Sequence, residues 1–141
     1  MDVLSLHHVA LPVSDLGRSK RFYREVLGLT EIDRPAAFDF PGAWFSLGDG
    51  QLHLMERQGG TLRTAKPLDS RDVHFAVRVD DIDATLAHLK AAGYRDDAAL
   101  DDPMRLKWNT APNAGFPQIF ILDPDRHVIE INSASAPSGR R

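Results

Sequence analysis

One nine-residue segment occurs twice in the chain, and this repeat constrains the fold more than any other feature. Residues 8–16 (HVALPVSDL) align without a gap with residues 74–82 (HFAVRVDDI), at an offset of 66 residues (74 − 8). The alignment places His8 on His74. Each copy continues through a helical pattern that ends at a glycine. Because self-similarity at a fixed offset is typical of repeated architectures, the chain is predicted to contain two equivalent structural units.

The composition limits which classes of protein are compatible with this repeat. A chain of 141 residues with 43% hydrophobic residues can form one compact domain, and a formal net charge of −3 provides no cationic surface for nucleic acid. The absence of cysteine excludes disulfides, thiolate metal sites and a cysteine nucleophile. Neither a secretory signal nor a membrane span is recognised. We therefore expect a soluble, cytoplasmic protein without a nucleic-acid or membrane partner.

The first copy is predicted to begin a unit of one strand, one helix and three strands. Alternating and helical apolar patterns place these elements at residues 4–13, 15–27, 29–33, 44–47 and 51–56. Ser14 or Asp15 can cap the helix by accepting hydrogen bonds from its free N–H groups, and Gly28 can end it in a left-handed conformation.

The second copy predicts the same order of elements. Asp80 or Asp81 can cap its helix and Gly93 can end it. The predicted elements are a strand at 73–79, a helix at 81–92, a weak strand at 94–100, a short strand at 106–108 and a hairpin of strands at 118–122 and 127–132, with an irregular loop at 101–115. The domain is thus a single α+β domain over residues 1–141, divided into unit one (4–57), a linker (58–71), unit two (72–132) and a flexible tail (133–141).

Four strands each place one metal-capable side chain between apolar neighbours. These side chains are His8, His53, His74 and Glu130. Since successive side chains of a strand point to opposite faces, all four should lie on the face that does not pack on the helices. A single polar side chain in such a position usually faces water, but His8 and His74 are related by the repeat, and His53 and Glu130 both lie in the last strand of a unit. Three imidazoles and one carboxylate suit Zn²⁺, Ni²⁺, Co²⁺, Mn²⁺ or Fe²⁺.

Other polar and aromatic residues are weaker candidates. His7 lies on the opposite strand face from His8 and is interpreted as structural, while His88 and His127 are expected to be exposed to solvent. A further set could bind an anionic or aromatic substrate, although its tryptophan at position 44 could equally be a core residue. The set consists of Phe40, Trp44, Arg105, Lys107, Trp108 and Phe116.

Taken together, the motifs resemble the vicinal oxygen chelate superfamily, the group that contains glyoxalase I, methylmalonyl-CoA epimerase, extradiol dioxygenases and fosfomycin- or bleomycin-resistance proteins. The resemblance covers residues 4–132. It rests on the two repeat segments, on Phe22-Tyr23 followed by Leu27-Gly28-Leu29, and on Asp123-Pro124-Asp125 followed by Ile129-Glu130-Ile131. These motifs are specific for the fold and weak for the reaction.

The resemblance implies two βαβββ units that form a U-shaped cleft around a divalent ion. The implied ligands are His8, His53, His74 and Glu130, and proteins of this kind are commonly dimeric, so a homodimer is expected. Two departures from the family pattern are present. The position of His53 often carries Glu or Gln in the glyoxalase and epimerase branches, and Arg126 replaces the glycine of the usual Asp-Pro-Asp-Gly turn. Because arginine disfavours positive φ, we expect this turn to be rearranged.

Three functions are compatible with this ligand set. The favoured one is a metal-dependent lyase or isomerase of the glyoxalase I type, acting on a small carbonyl compound or thiol adduct. Glu130 is the preferred general base, and His53 is the alternative. An Fe(II) extradiol-type dioxygenase is less compatible, because such enzymes use two His and one carboxylate. A sequestering protein that binds a small molecule or antibiotic without turnover is less compatible because such proteins commonly lack the metal ligands.

Overall fold

A computed structural model describes residues 1–59, 63, 65–110 and 114–134 of the chain. The chain divides into two compact units, Met1–Leu62 and Arg63–Arg141. The domain boundaries derived from the sequence, with a linker at 58–71, stay a prediction. Among the described residues, no helix has both the length and the apolar character needed to cross a membrane.

The first unit is a four-stranded mixed sheet with one helix. Its elements are β1 (His8–Val13), α1 (Leu16–Arg21, continued by a π-helical turn at Phe22–Val26), β2 (Glu31–Ile32), β3 (Gly42–Leu47) and β4 (Gly50–Glu56). The strand order is β1-β4-β3-β2, with β1 parallel to β4 and the other pairs antiparallel. Helix α1 packs on β3 and β4. Phe45, Leu52 and Leu54 are completely buried, so these side chains form the core of this unit.

The second unit repeats this arrangement. Its elements are β5 (His74–Arg78), α2 (Ile82–Ala91), β6 (Lys107–Asn109), β7 (Gln118–Leu122) and β8 (Val128–Asn132). The strand order is β5-β8-β7-β6, again with the first and last strands parallel. Ile119, Ile121 and Ile129 are completely buried. The predicted α+β fold of two βαβββ units is therefore confirmed.

Both helices begin after a predicted cap and are followed by the predicted glycine, although the last turn of the first helix, Phe22–Val26, is π-helical. The Asp15 carboxylate accepts a hydrogen bond from the backbone N–H of residue 18, and the Asp81 carboxylate accepts one from that of residue 84, each at 2.9 Å. Gly28 and Gly93 follow the helices with φ values of +68° and +103°. These bonds satisfy N–H groups that have no partner within the helix.

Two predicted strand assignments are wrong. Residues 94–100 do not form a strand, and only an isolated bridge joins Arg95 to Arg105, because no long neighbouring strand is available to pair with this segment. Strand β1 begins at His8 rather than at residue 4, because its partner β4 starts only at Gly50. Parts of the predicted loop (111–113) and of the predicted tail (135–141) lie outside the described residues.

The expected rearrangement of the closing turn is also wrong. Arg126 adopts φ +64°, the left-handed conformation for which glycine is usual. Its guanidinium donates hydrogen bonds to the carbonyl oxygens of Lys66 and Asp101, both at 3.1 Å, and its own carbonyl accepts one from Arg63 Nε at 2.6 Å. A left-handed conformation costs a non-glycine residue about 1–2 kcal/mol. The hydrogen bonds of the arginine offset this cost, so the turn keeps its geometry.

Candidate metal-binding site

The four predicted ligands occupy equivalent positions in the two sheets. His8 opens β1, and the residue two positions further along pairs with His53 of β4. His74 opens β5, and the residue two positions further along pairs with Glu130 of β8. Directly paired residues of adjacent strands point to the same face, and so do residues two apart on one strand. Each unit therefore places one ligand pair on one face of its sheet.

In the first unit, the imidazole of His53 lies between two other rings. It stacks on the His8 ring at 4.2 Å between centroids and on the Trp44 ring at 4.0 Å, with interplanar angles of 15° and 4°. Its Nε2 lies 2.8 Å from Oε1 of Gln51. Because an amide oxygen only accepts, Nε2 carries the proton and Nδ1 keeps the lone pair. This tautomer leaves one ring nitrogen able to bind a metal ion.

The surroundings of His53 also favour its neutral form. Burial lowers the pKa of His53, and the nearby His8, His7 and Arg34 side chains lower it further. Only 9% of the residue's surface is exposed, which is why the loss of hydration is the largest cause. Metal ligation requires a neutral imidazole, so this environment suits a ligand.

His7 contacts the predicted ligand beside it. The Nδ1 atoms of His7 and His8 lie 2.8 Å apart, so one of them carries hydrogen and donates a hydrogen bond to the other. When His8 is the donor, its Nε2 keeps the lone pair for a metal ion. The position of His7 on the other face of the strand did not indicate this contact.

In the second unit, His74 and Glu130 face each other through one ring nitrogen and one carboxylate oxygen. His74 Nδ1 lies 2.7 Å from the carbonyl oxygen of Asp72 and must donate to it. In a neutral ring, Nε2 is then an acceptor, yet it lies 3.2 Å from Oε2 of Glu130, which is also an acceptor. Two acceptors facing each other repel unless a proton or a metal cation lies between them. A proton held between the two atoms, or a shared metal ion, therefore explains the contact.

The separation of these two atoms suits joint ligation of one ion. Metal bonds of about 2.0–2.2 Å, at angles between octahedral and tetrahedral values, place two ligand atoms about 2.8–3.5 Å apart. The distance between His74 Nε2 and Glu130 Oε2 is 3.2 Å. The separation of these two atoms therefore lies within the range found for two ligands of one ion.

Two amide side chains hold the other oxygen of Glu130. Oε1 accepts hydrogen bonds from Asn132 Nδ2 at 2.9 Å and from Gln118 Nε2 at 3.0 Å. Asn132 Oδ1 accepts in turn from Arg78 Nε at 2.9 Å. Since Oε1 already has two donors, Oε2 is the oxygen left for a metal ion or a proton. Such outer contacts orient a ligand.

The first pair has to change its arrangement before it can bind an ion. Lone pairs of ring nitrogens lie in the ring plane, so stacked rings do not direct two lone pairs at one point. One of the two rings, His8 or His53, must rotate about its side-chain bonds. In the part of the chain that the structure describes, no three or more His, Cys, Asp or Glu side chains are grouped to hold a metal ion. The four-residue set stays a prediction.

Some of the predicted pocket residues lie on the same face as the ligands. Trp44 pairs with His53, stacks on it and is half-buried, so it lies on the face that carries this candidate ligand. Lys107 pairs with Phe120, which itself pairs with Glu130. Lys107 therefore lies on the face that carries Glu130.

Other predicted pocket residues lie elsewhere or serve the fold. Trp108 pairs with the buried Ile119 and therefore lies on the opposite face from Glu130. The Arg105 guanidinium donates to the carbonyl oxygen of Ala98, which makes this arginine a structural residue. Phe40 stacks with the Arg34 guanidinium at 4.9 Å from the ring centroid.

The two outlying histidines differ from each other. His88 is exposed, as predicted. The prediction of an exposed His127 is wrong, because only 7% of its surface is exposed. Its backbone N–H donates to the buried carboxylate of Asp123 at 2.8 Å, which draws the turn residue inward.

The lowered pKa of His53 predicts how the stability of the metal-free protein depends on pH. Folded His53 binds a proton less readily than the unfolded side chain, whose pKa is 6.5. Stability linked to His53 is thus fully present above pH 6.5 and is lost as the pH falls through the lower pKa of the folded state. Urea unfolding between pH 7.5 and 5 should therefore show a smaller acid-induced loss for His53→Gln than for the unmodified protein, and His88→Gln should not reduce it.

Comparison with known proteins agrees with this fold. Residues 5–131 match the model of the Glyoxalase/Bleomycin resistance protein/Dioxygenase superfamily. The chain is 32% identical to a Vibrio parahaemolyticus protein named "Probable lactoylglutathione lyase", over 88% of this chain and 86% of that protein. It is 30% identical to "Glutathione transferase FosA" of Serratia marcescens, over 93% and 82%.

A solved structure shows the same fold at low sequence identity. The fosfomycin resistance protein FosX of Listeria monocytogenes, in complex with Mn(II) and dihydroxypropylphosphonic acid, superposes with a TM-score of 0.71 at 18% identity, covering 95% of each chain. This likeness shows the fold, and the family match over residues 5–131 identifies the class of the protein. The chain belongs to the Glyoxalase/Bleomycin resistance protein/Dioxygenase superfamily.

Proposed function

We propose that the protein is a metal-dependent lyase or isomerase of the glyoxalase type, acting on a small carbonyl compound or thiol adduct. The proposed ligands of one divalent ion are His8, His53, His74 and Glu130. The observation that carries the proposal is the contact of His74 Nε2 with Glu130 Oε2 at 3.2 Å, because His74 Nδ1 already donates to a carbonyl and a proton or a metal cation has to lie between the two facing atoms.

The chemistry of the donor set agrees with such an ion. Imidazole nitrogen and carboxylate oxygen bind Zn²⁺, Ni²⁺, Co²⁺, Mn²⁺ and Fe²⁺. A bound ion of this kind would polarise a substrate carbonyl and lower the cost of removing the neighbouring proton. FosX, which has the same fold, was solved with Mn(II).

The proton has to be accepted by a side chain of this site. Glu130 is the preferred base. Gln118 and Asn132 occupy Oε1 and keep the carboxylate in place, so Oε2 would take the proton once the substrate had displaced it from the ion. His53 is the alternative base, since burial and the nearby histidine and arginine side chains favour its neutral form. A base works when it lies within hydrogen-bond reach of the proton that it removes.

Metal dependence is the first test of the proposal. The protein is purified without added metal, its metal content is measured, and the stripped protein is reloaded with Ni²⁺, Co²⁺, Zn²⁺, Mn²⁺ or Fe²⁺. Hemithioacetal turnover that requires one of these ions, at one ion per chain, supports the proposal. Oxygen uptake with catechols confined to the Fe²⁺ form would replace it with a dioxygenase. Ligand binding without turnover under every metal would replace it with a sequestering protein.

The relatives suggest one more assay. One of them is named a glutathione transferase, FosA, so the loaded protein is also tested for addition of glutathione to fosfomycin. Transfer to fosfomycin without hemithioacetal turnover would assign a transferase instead of the lyase or isomerase. The homodimer and the cytoplasmic location expected from the sequence are proposed here as well, and sedimentation and cell fractionation test them.

A further inference from the structure

Arg78 lies on the face of the second sheet that carries His74 and Glu130. It is four residues beyond His74 on β5, and it pairs with Asn132 in the row next to Glu130. Residues at even spacing on a strand share a face, so Arg78 and His74 point to the same side. The side chain of Arg78 is exposed. A fixed cation therefore stands beside the proposed ligand pair.

Two contacts fix the guanidinium group. Arg78 Nε donates to Asn132 Oδ1 at 2.9 Å, and Asn132 Nδ2 donates to Glu130 Oε1 at 2.9 Å. The guanidinium carbon lies 5.1 Å from the centroid of the Phe116 ring, within the range of a cation–π interaction. The position of the cation is thus coupled to that of the Glu130 carboxylate through a single amide.

No carboxylate neutralises this arginine within the described residues. The ion pairs found there do not include Arg78, and its hydrogen bond uses Nε alone. The two terminal nitrogens remain available as a fork. A planar fork of N–H donors matches the two oxygens of a carboxylate, phosphate or phosphonate.

The other end of the same face is apolar. Phe120, Leu122 and Val128 form a buried cluster against which Leu68 packs. The ring of Phe120 lies 5.7 Å from that of His74. On this face, the ligand pair thus lies between a buried apolar cluster and a guanidinium.

We propose that Arg78 binds an anionic group of the substrate, a carboxylate, phosphate or phosphonate, while the reacting oxygens are held at His74 and Glu130. The inference rests on the proposed function and adds the charge of the substrate to it. The anionic group of the substrate would lie towards Asn132 and Phe116.

The test compares three probes that share a hydroxamate, which binds metal through two adjacent oxygens. Acetohydroxamate is neutral beyond that group, malonohydroxamate adds a carboxylate, and phosphonoacetohydroxamate adds a phosphonate. Calorimetry on the Co²⁺-loaded protein gives the affinity of each probe. The unmodified protein should prefer at least one charged probe. In Arg78→Gln, the ratio of the affinity for the charged probe to that for acetohydroxamate should fall about 10- to 100-fold. This is the usual effect of losing a hydrogen bond to a charged group.

One further variant separates the role of the planar guanidinium fork from that of the charge, and a second variant is a control. Arg78→Lys keeps the charge but loses the planar fork, so its preference should be intermediate. Arg24→Gln removes a surface arginine of the first unit that pairs with Glu31, and it should leave all three affinities unchanged. The affinity for acetohydroxamate should stay within about 2-fold in Arg78→Gln, because glutamine can still donate to Asn132.

The outcomes distinguish this inference from the proposed function. A lack of Co²⁺ binding contradicts the proposed metal site. If the protein binds Co²⁺ and acetohydroxamate but prefers neither charged probe, the role of Arg78 is overturned and the metal site is not. The same holds if Arg78→Gln prefers the charged probes as strongly as the unmodified protein does. A uniform loss of affinity for all three probes would make Arg78 a residue that only positions Glu130, and this also overturns the proposal.

Discussion

Replacing Glu130 by glutamine should remove metal from the protein while leaving its fold intact. The amide is nearly isosteric with the carboxylate, and its oxygen can accept the hydrogen bonds that Gln118 and Asn132 donate to Oε1. Its NH₂ group would then donate to His74 Nε2. The buried network stays satisfied, but the charge and the free oxygen are lost.

The expected loss in metal affinity is at least about 100-fold, because changing an outer contact of a ligand already costs 10- to 100-fold. Turnover in protein saturated with metal should fall by about 10²- to 10⁴-fold if Glu130 is also the base. Metal titration and turnover of Glu130→Gln are compared with those of His88→Gln, whose side chain is exposed. Full metal content in Glu130→Gln, with an unchanged Kd, would remove Glu130 from the ligand set.

Replacing Gly42 by alanine should destabilise the first unit. An added Cβ would lie 2.6 Å from the backbone oxygen of Leu54 and 3.0 Å from Arg34 Nε. The first atom belongs to the paired strand β4 and cannot move as a flexible side chain could. Overpacking of this kind costs about 1–3 kcal/mol in the free energy of unfolding. The strand would have to shift, and Trp44 two residues further along would shift with it.

The matched control is Gly17→Ala, at a position where an added Cβ makes only ordinary van der Waals contacts. An added Cβ at Gly17 would meet only Asp15 Oδ1 at 3.5 Å and Arg21 Nη1 at 3.9 Å. Gly17 lies in α1, where alanine is favoured over glycine by roughly 0.5–1 kcal/mol. Urea unfolding should therefore show opposite signs for the two substitutions. Equal stability of Gly42→Ala and the unmodified protein would show that β3 and β4 can separate without cost.

The fold was predictable because the repeat and the caps are local signals. The repeat defines two units, and Asp15 and Asp81 mark both helix starts by side-chain chemistry alone. Strand limits were less predictable, since they depend on where the partner begins. β1 starts at His8 because β4 starts at Gly50. The turn at Arg126 was mispredicted because its compensating hydrogen bonds come from residues distant in sequence.

The positions of the candidate ligands followed from alternation, but their surroundings did not. Alternation indicates which face a side chain occupies, and the register confirms that each unit places its two candidates on one face. The amides that hold Glu130 come from two strands, and their contacts depend on that register. Asn132, two residues beyond Glu130, could have been recognised as sharing its face. Arg78 lies four residues beyond His74 on β5, so alternation could also have indicated that these two side chains share a face.

Each unit completes its sheet by pairing its first strand with its last. This pairing joins residues 43 positions apart in the first unit (51 − 8) and 54 positions apart in the second (128 − 74). Contacts so distant in sequence form late in folding, because the chain between them must first be ordered. During synthesis on the ribosome, β1 therefore waits for β4, and β5 waits for β8. His53 and Glu130 lie on those late strands, so the two candidate ligands of each unit come together only when its last strand has joined the sheet.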